Sequence, residues 1–171
     1  RVVFYDPLIG SGIEGILSDE VALVWVESPG SVTLEVQDVA AIADAAHARG
    51  IKVAADNTWA TALRFKPLRH RVDYCVNSLS KYISGHSDVV MGAISVTDEN
   101  LYVALRQIAR SLGYGVTSDA ASLVLRGIET LPARLDRSEA SALDLARWLS
   151  EQPYVSRVLH PALDSHPGHT T

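Results

Sequence analysis

Val21-Ala22-Leu23-Val24-Trp25-Val26 is an unbroken apolar run. A run of this length without alternation reads as a strand covered on both faces, as in a parallel sheet. Ser28-Pro29-Gly30-Ser31 ends it with turn-forming residues. From Val36 to Arg49 the pattern changes, with Val36, Val39, Ile42, Ala43 and Ala46 at helical spacing. Gln37 and Asp38 open this helix, Arg49 closes it and Gly50 stops it, the residue types expected at helix ends. Ile51 to Ala55 is a second short strand. Residues 21–55 therefore predict a strand–helix–strand unit and an α/β fold with a parallel sheet.

Outward from this unit, Tyr74-Cys75-Val76-Asn77 and Val89 to Val96 read as further strands. From Glu99 the chain turns helical: Leu101, Leu105, Ile108 and Leu112 share one period, Leu123 to Ile128 ends another helix, and Ser138 to Leu149 carries Leu143, Ala146 and Leu149 on one face. Gly127 to Pro132 marks a boundary between two parts. Arg1 to Pro7 reads as a strand entered midway, not a signal peptide, and His166 to Thr171 ends without a closing element. Both ends are expected to belong to a fragment of a longer chain.

Composition narrows the function classes. Hydrophobic residues make up 47% and charged residues 20% of the 171 residues, the mix of a soluble globular protein. No apolar run approaches the roughly 18 residues of a membrane span. The net charge of −5 argues against nucleic acid as the main partner, because phosphate binding relies on a basic face. The single cysteine, Cys75, rules out an intrachain disulfide and fits a reducing compartment.

The chain has three lysines, Lys52, Lys66 and Lys81. The first two read as solvated. Lys81 follows a strand directly and lies in Ser78-Leu79-Ser80-Lys81-Tyr82, ahead of Gly85-His86-Ser87-Asp88. Small hydroxyl residues and exposed amides of that kind can surround a phosphate, and a lysine there can form an imine with a carbonyl carbon. Asp56 ends the strand Ile51–Ala55. Ligands of open parallel sheets bind beyond the carboxyl ends of the strands, so Asp56 and the stretch after Asn77 open onto one crevice. Pyridoxal phosphate (PLP) chemistry needs this pair: a lysine for the imine, and an acid facing the pyridine nitrogen to favour its protonated form. On spacing alone the plainer reading stands beside it, with Asp56 a turn former and Lys81 a surface lysine.

The run Asp73-Tyr74-Cys75-Val76-Asn77-Ser78-Leu79-Ser80-Lys81-Tyr82-Ile83-Ser84-Gly85-His86-Ser87-Asp88 resembles the PLP-attachment signature of the Cys/Met-metabolism enzymes. Asp56-Asn57-Thr58-Trp59, 25 residues before the lysine, resembles the aspartate motif of the same family. Tyr5-Asp6-Pro7-Leu8-Ile9-Gly10 and Glu27-Ser28-Pro29-Gly30-Ser31 look most like its bacterial cystathionine β-lyase branch; the γ-synthase and γ-lyase branches more often carry Asn-Pro after this proline. Arg126-Gly127 and His160-Pro161-Ala162-Leu163 also look familial.

The resemblance implies a truncated PLP-binding large domain of the aspartate-aminotransferase type (fold type I) over residues 1–127, with the start of a small C-terminal α+β domain over 128–171. It implies that Lys81 is the imine lysine and the Cα base, that Asp56 faces the pyridine nitrogen, and that Ser78 and Ser80 bind the phosphate. Ser80 stands where the family usually has threonine, and Tyr74 where an aliphatic residue is usual. The implied reaction is β-elimination of a small sulfur amino acid, cystathionine or a cysteine S-conjugate, by a cytoplasmic homotetramer built as a dimer of dimers. The family's cofactor-stacking tyrosine and first phosphate-binding turn fall upstream of Arg1, and its substrate-carboxylate arginine downstream of Thr171. The alternatives are γ-replacement or γ-elimination, and a catalytically incomplete protein that retains the fold.

Other patterns compete. Gly10-Ser11-Gly12-Ile13-Glu14-Gly15 matches a dinucleotide fingerprint, but that motif must follow a strand tightly and open a helix, and Pro7 interrupts any strand here. Ser78-Leu79-Ser80-Lys81 matches the S-x-x-K of penicillin-binding enzymes without the companion motifs that chemistry needs. His160, His166 and His169 read as surface histidines rather than metal ligands, and no metal is expected. His86 is expected to shape the turn after Lys81, or to be purely structural. Cys75 reads as a small core residue. Trp25 and Trp148 read as core or interface residues, and Trp59 lies near the crevice.

Overall fold

The computed structural model describes residues 1–171. Three strands run parallel and a fourth antiparallel, in the order β1 (Leu23–Glu27), β2 (Lys52–Asp56), β3 (Tyr74–Ser78), β4 (Gly92–Ser95). Helix α1 (Val39–His47) joins β1 to β2, and the short α2 (Thr61–Arg64) follows β2. Two long helices, α3 (Glu99–Ser111) and α4 (Ser118–Ser150), come after the sheet.

Register divides the side chains between two faces. Val24 pairs with Val53, Val26 with Ala55, and Ala55 with Cys75, and all are buried. Against this face α1 lays Val39, Ile42, Ala43 and Ala46; the two alanines let the helix lie close to the strands. Ile13, Leu17, Ile51 and Val72 complete the core. Each large aliphatic buried here contributes about 1.5–3 kcal/mol. The opposite face carries Leu23, Trp25 and Ile94 half-exposed.

Helix α1 begins later than its apolar spacing predicts. The Asp38 carboxylate accepts the Ala41 amide at 2.9 Å, so the cap fixes the start at Val39 and Val36 stays in the loop. At the other end Gly50 takes φ +71°. Its amide donates to His47 O and that of Ile51 to Ala46 O, the bond pair of a glycine-ended helix.

Several expectations need correction. Residues 1–6 form no strand. The strand expected over Val89–Val96 is confined to Gly92–Ser95. Gly10–Ile16, where Pro7 already argues against a strand-to-helix turn, is a 3₁₀ helix ahead of the first strand. The two helices expected on either side of Gly127–Pro132 are one 33-residue helix, α4, which contains Pro132. His166 is buried, not on the surface, because its ring nitrogen accepts the Gly168 amide at 3.0 Å and Gly168 packs on Val36. Of the core and interface readings for Trp25 and Trp148, the core one fails, because both are about half exposed.

Lys52 is not simply solvated. Its ammonium lies 2.8 Å from Asp73, which also accepts from the Val53 amide at 2.8 Å and sits 2.8 Å from His47 Nε2. This one carboxylate, just before β3, ties together the end of α1 and the start of β2. Burial alone would raise its pKa, but the hydrogen bonds from Lys52, His47 and Val53 outweigh burial and hold it below the usual carboxylate range.

Helix α4 is fastened largely by polar contacts. Arg64 of α2 pairs with Asp136 and Glu139, and Arg126 pairs with Asp88. Val124, Gly127, Leu131 and Leu135 form a buried stripe, and Ala146 is buried further along. At Gly127 the helix meets the chain that follows Lys81. An added Cβ would stand 2.3 Å from Ser84 O and 2.4 Å from Ile83 O, both main-chain atoms.

Two outcomes follow. A carboxylate with a lower pKa folded than unfolded adds stability above its unfolded value, about 3.9, and loses it as pH falls through the folded value. Asp73→Asn is expected to cost about 2–3 kcal/mol near pH 7 and to flatten the loss of stability below about pH 4; chemical denaturation of the intact protein at both pH values measures this. Gly127→Ala would gain about 1 kcal/mol in an open helix. Here it is expected to destabilise by about 1–3 kcal/mol through overpacking, read as a lower denaturation midpoint.

Candidate functional site

The carboxyl ends of β1, β2 and β3 finish side by side at one edge of the sheet. Glu27 pairs with Asp56, and Asp56 with Val76. Ser78 lies two residues beyond Val76, so Asp56 and Ser78 share a face, the one opposite α1. The β2–β3 ladder continues past Asp56, because the Asn57 amide donates to Val76 O at 2.8 Å.

Thr58 joins the two candidate residues. Its amide donates to Asp56 Oδ1 at 2.9 Å, and its hydroxyl accepts the Ser78 amide at 2.8 Å. One residue thus sets the aspartate relative to the strand that leads to Lys81. Asp56 Oδ2 is left without a protein partner, on a half-buried side chain.

Lys81 sits in the turn 79–84. Its amide donates to Ser78 O, its carbonyl accepts the Gly85 amide, and the Ser84 amide donates to Leu79 O. Its side chain is exposed, and its amine belongs to none of the ion pairs, whereas Lys52 is held by Asp73. Ser80 turns its hydroxyl to Met91, accepting that amide at 3.0 Å and reaching its carbonyl at 3.3 Å. It would have to rotate away from the long contact to donate to a phosphate. His86 does shape the turn, its Nδ1 lying 2.5 Å from Ser84 O.

Beneath the edge lies a polar layer that sequence pattern does not reveal. Asn57 and Asn77 are buried, each with an amide oxygen lacking a partner, and the buried Ser84 hydroxyl is also unpartnered. Asn57 Nδ2 donates to Phe65 O at 3.0 Å, and Asn77 Nδ2 reaches Cys75 Sγ at 3.4 Å. Burial pushes the Cys75 thiol pKa up, so Cys75 is the core residue its sequence suggests. At the end of β1, the Tyr5 hydroxyl lies 3.0 Å from Trp25 O and 2.9 Å from Gln37 Oε1, and burial pushes its pKa up to about 12.

The donor set suits a phosphorylated pyridine aldehyde. It offers an unengaged carboxylate oxygen for a protonated ring nitrogen, an amine free of ion pairs, and hydroxyls on either side of Leu79. Sequence reading missed Thr58 and Arg134, which act on this edge through contacts 20 and 51–52 residues away in the chain. The only local signal for Arg134 is Gly127, a glycine inside a helical pattern, which often marks a close approach.

Comparison with known proteins gives a consistent answer. The profile described as Cys/Met metabolism PLP-dependent enzyme matches residues 1–171. The cystathionine beta-lyase of Escherichia coli is 40% identical over 97% of this chain and 42% of its own length. That of Haemophilus influenzae is 38% identical over 98% of this chain and 43% of its own length. The crystal structure of a protein named cystathione gamma lyase, from Micromonospora echinospora, superposes with a TM-score of 0.92 at 36% identity, covering 99% of this chain and 45% of that one. The chain spans less than half the length of the curated relatives it matches. With matching sequence over its whole length and a matching fold, the chain belongs to the Cys/Met metabolism family of PLP-dependent enzymes.

Proposed function

We propose that this chain forms the cofactor-holding part of a PLP-dependent carbon–sulfur lyase that cleaves cystathionine or a related cysteine S-conjugate by β-elimination, giving a thiol, pyruvate and ammonia. One observation carries the reading: Asp56 and the Lys81 turn meet at the carboxyl edge of the sheet, linked through Thr58, with Asp56 Oδ2 and the Lys81 amine both unengaged. The β-lyase names of the bacterial relatives support the choice of reaction.

PLP bound here supplies an electron sink for the pair left at the substrate Cα when its proton departs. Lys81 is the attachment residue and, once its amine is free, takes that proton at Nζ. Asp56 holds a proton at the ring nitrogen, since an adjacent carboxylate stabilises the cationic form. The Thr58 amide keeps Asp56 in place for this. Ser78 would donate to the phosphate, as would Ser80 once its hydroxyl turns from Met91 O. The thiolate would leave from Cβ and take up a proton, and water would hydrolyse the released aminoacrylate to pyruvate and ammonia.

Residues 1–127 are assigned to the PLP-binding large domain and 128–171 to the start of the C-terminal domain, so that α4 crosses from one to the other. A cytoplasmic homotetramer, a dimer of dimers, fits the single free cysteine and the apolar residues of α3, such as Tyr102 and Ile108, none of which is buried. No helix is long and apolar enough to cross a membrane.

A γ-elimination reading is favoured by the similar Micromonospora structure, whose protein is named a gamma lyase. Product analysis separates the two, since β-elimination of cystathionine yields pyruvate and γ-elimination yields 2-oxobutyrate. Pyruvate is expected; 2-oxobutyrate as the main product would replace the β assignment. Lys81→Ala is expected to abolish borohydride-fixed PLP attachment in the intact enzyme and to lower turnover by about 10²–10⁴-fold or more. Peptide mapping that finds PLP fixed to Lys52 or Lys66 instead would overturn the site. Asp56→Asn is expected to keep attachment while slowing turnover on the order of 10²-fold, the scale of one lost electrostatic partner.

A further inference from the structure

We propose that Arg134 is the residue that positions Lys81, by holding the turn around that lysine against α4; the inference rests on reading Lys81 as the cofactor lysine. A main-chain carbonyl with no main-chain partner is an acceptor free to take a charged donor. In the turn 79–84 the carbonyls of Tyr82 and Ile83, the two residues directly after Lys81, accept no main-chain amide. Arg134 reaches both, with Nη1 donating to Tyr82 O at 2.5 Å and Nη2 to Ile83 O at 3.2 Å.

The same guanidinium is fixed to its own helix. Nη2 also donates to Gly127 O at 2.8 Å, and Nε donates to Thr130 Oγ1 at 3.0 Å. The planar fork therefore joins two elements and cannot swing freely. Space for it depends on two glycines. A Cβ on Gly85, which takes φ +71°, would stand 2.1 Å from Arg134 Nη1, and one on Gly127 would strike the Ser84 and Ile83 carbonyls. The neighbouring cation of α4, Arg126, pairs with Asp88 further along the loop and does not duplicate this contact.

Helix α4 thus sets where the chain leaves Lys81, in the turn that follows the β3 end beside Asp56. The role needs several directed donors at once. A lysine keeps the charge but loses the fork, so Arg134→Lys separates positioning from charge alone.

The test compares intact wild-type enzyme with Arg134→Gln and Arg134→Lys by two readouts. Hydrogen exchange without cofactor is followed at the amides of residues 79–86 and, as an internal reference, of β1 and β2. The visible absorbance of the PLP-loaded enzyme is titrated with pH, which reports the acidity of the lysine nitrogen joined to the cofactor. In both variants exchange is expected to be about tenfold faster, the scale of one lost charge-assisted hydrogen bond, at 79–86 only. The absorbance midpoint is expected to shift, with neither change rescued by lysine. If Arg134→Gln does not fold, Arg134→Lys supplies both readouts. Unchanged exchange at 79–86 together with superimposable titrations would overturn the inference. If wild-type enzyme fixes no PLP on Lys81, the functional reading fails, and the exchange arm still decides whether Arg134 holds the turn.

Discussion

Everything at the candidate site depends on the parallel pairing of β1, β2 and β3. Parallel pairing brings three strands to an end at the same edge, and the register that aligns Glu27, Asp56 and Val76 fixes which side chains look out from it. A slip of one residue would exchange the two faces of a strand, placing Asp56 in the aliphatic layer and Ala55 at the edge. The packing of Val24, Val26, Val53 and Ala55 on α1 resists that slip. Core packing and site geometry are in this sense one constraint.

The edge is finished by contacts made after the strands end. Thr58 crosses from the β2 exit to Ser78, and Ser80 crosses to Met91 at the entry to β4. The β3–β4 connection then lies on α4, where main chain meets main chain through Gly127. At the far side of the sheet Asp73 performs a comparable task with charge, gathering His47, Lys52 and the Val53 amide. Of the two lysine amines, that of Lys81 is left free of ion pairs and that of Lys52 is paired with Asp73.

Local pattern made much of this legible. The apolar run at Val21–Val26, the period of α1 and the glycine at its end are short-range signals, and they place the strand–helix–strand unit within a few residues. Asp56 and Lys81 stand out as candidates because strand ends can be read from sequence and because the surrounding motifs resemble a known family. Three kinds of feature escaped. The α1 start moved because a capping carboxylate at Asp38 outweighed the apolar Val36. Helix α4 was divided because Gly127 and Pro132 are the usual punctuation of a break; here the glycine answers to a neighbour, which no local rule can see. Thr58, Arg134 and the buried His166 depend on partners brought near only by folding, or on a turn whose packing is set by distant Val36.

Helix α4 has a further consequence that follows from its length. At 33 residues it is about 50 Å long, from a rise of 1.5 Å per residue. It meets the lysine turn between Gly127 and Arg134, nearer its beginning, and Arg64 holds it again at Asp136 and Glu139, with about 24 Å from Arg134 to Ser150. The helix is a lever with unequal arms whose fulcrum rests on the lysine turn. A tilt of about ten degrees about that point carries the Ser150 end through about 4 Å, by the same rise, while the main chain beside Lys81 moves by a small fraction of that. The geometry therefore demagnifies: large displacements at the far end reach the main chain beside Lys81 as small adjustments of position.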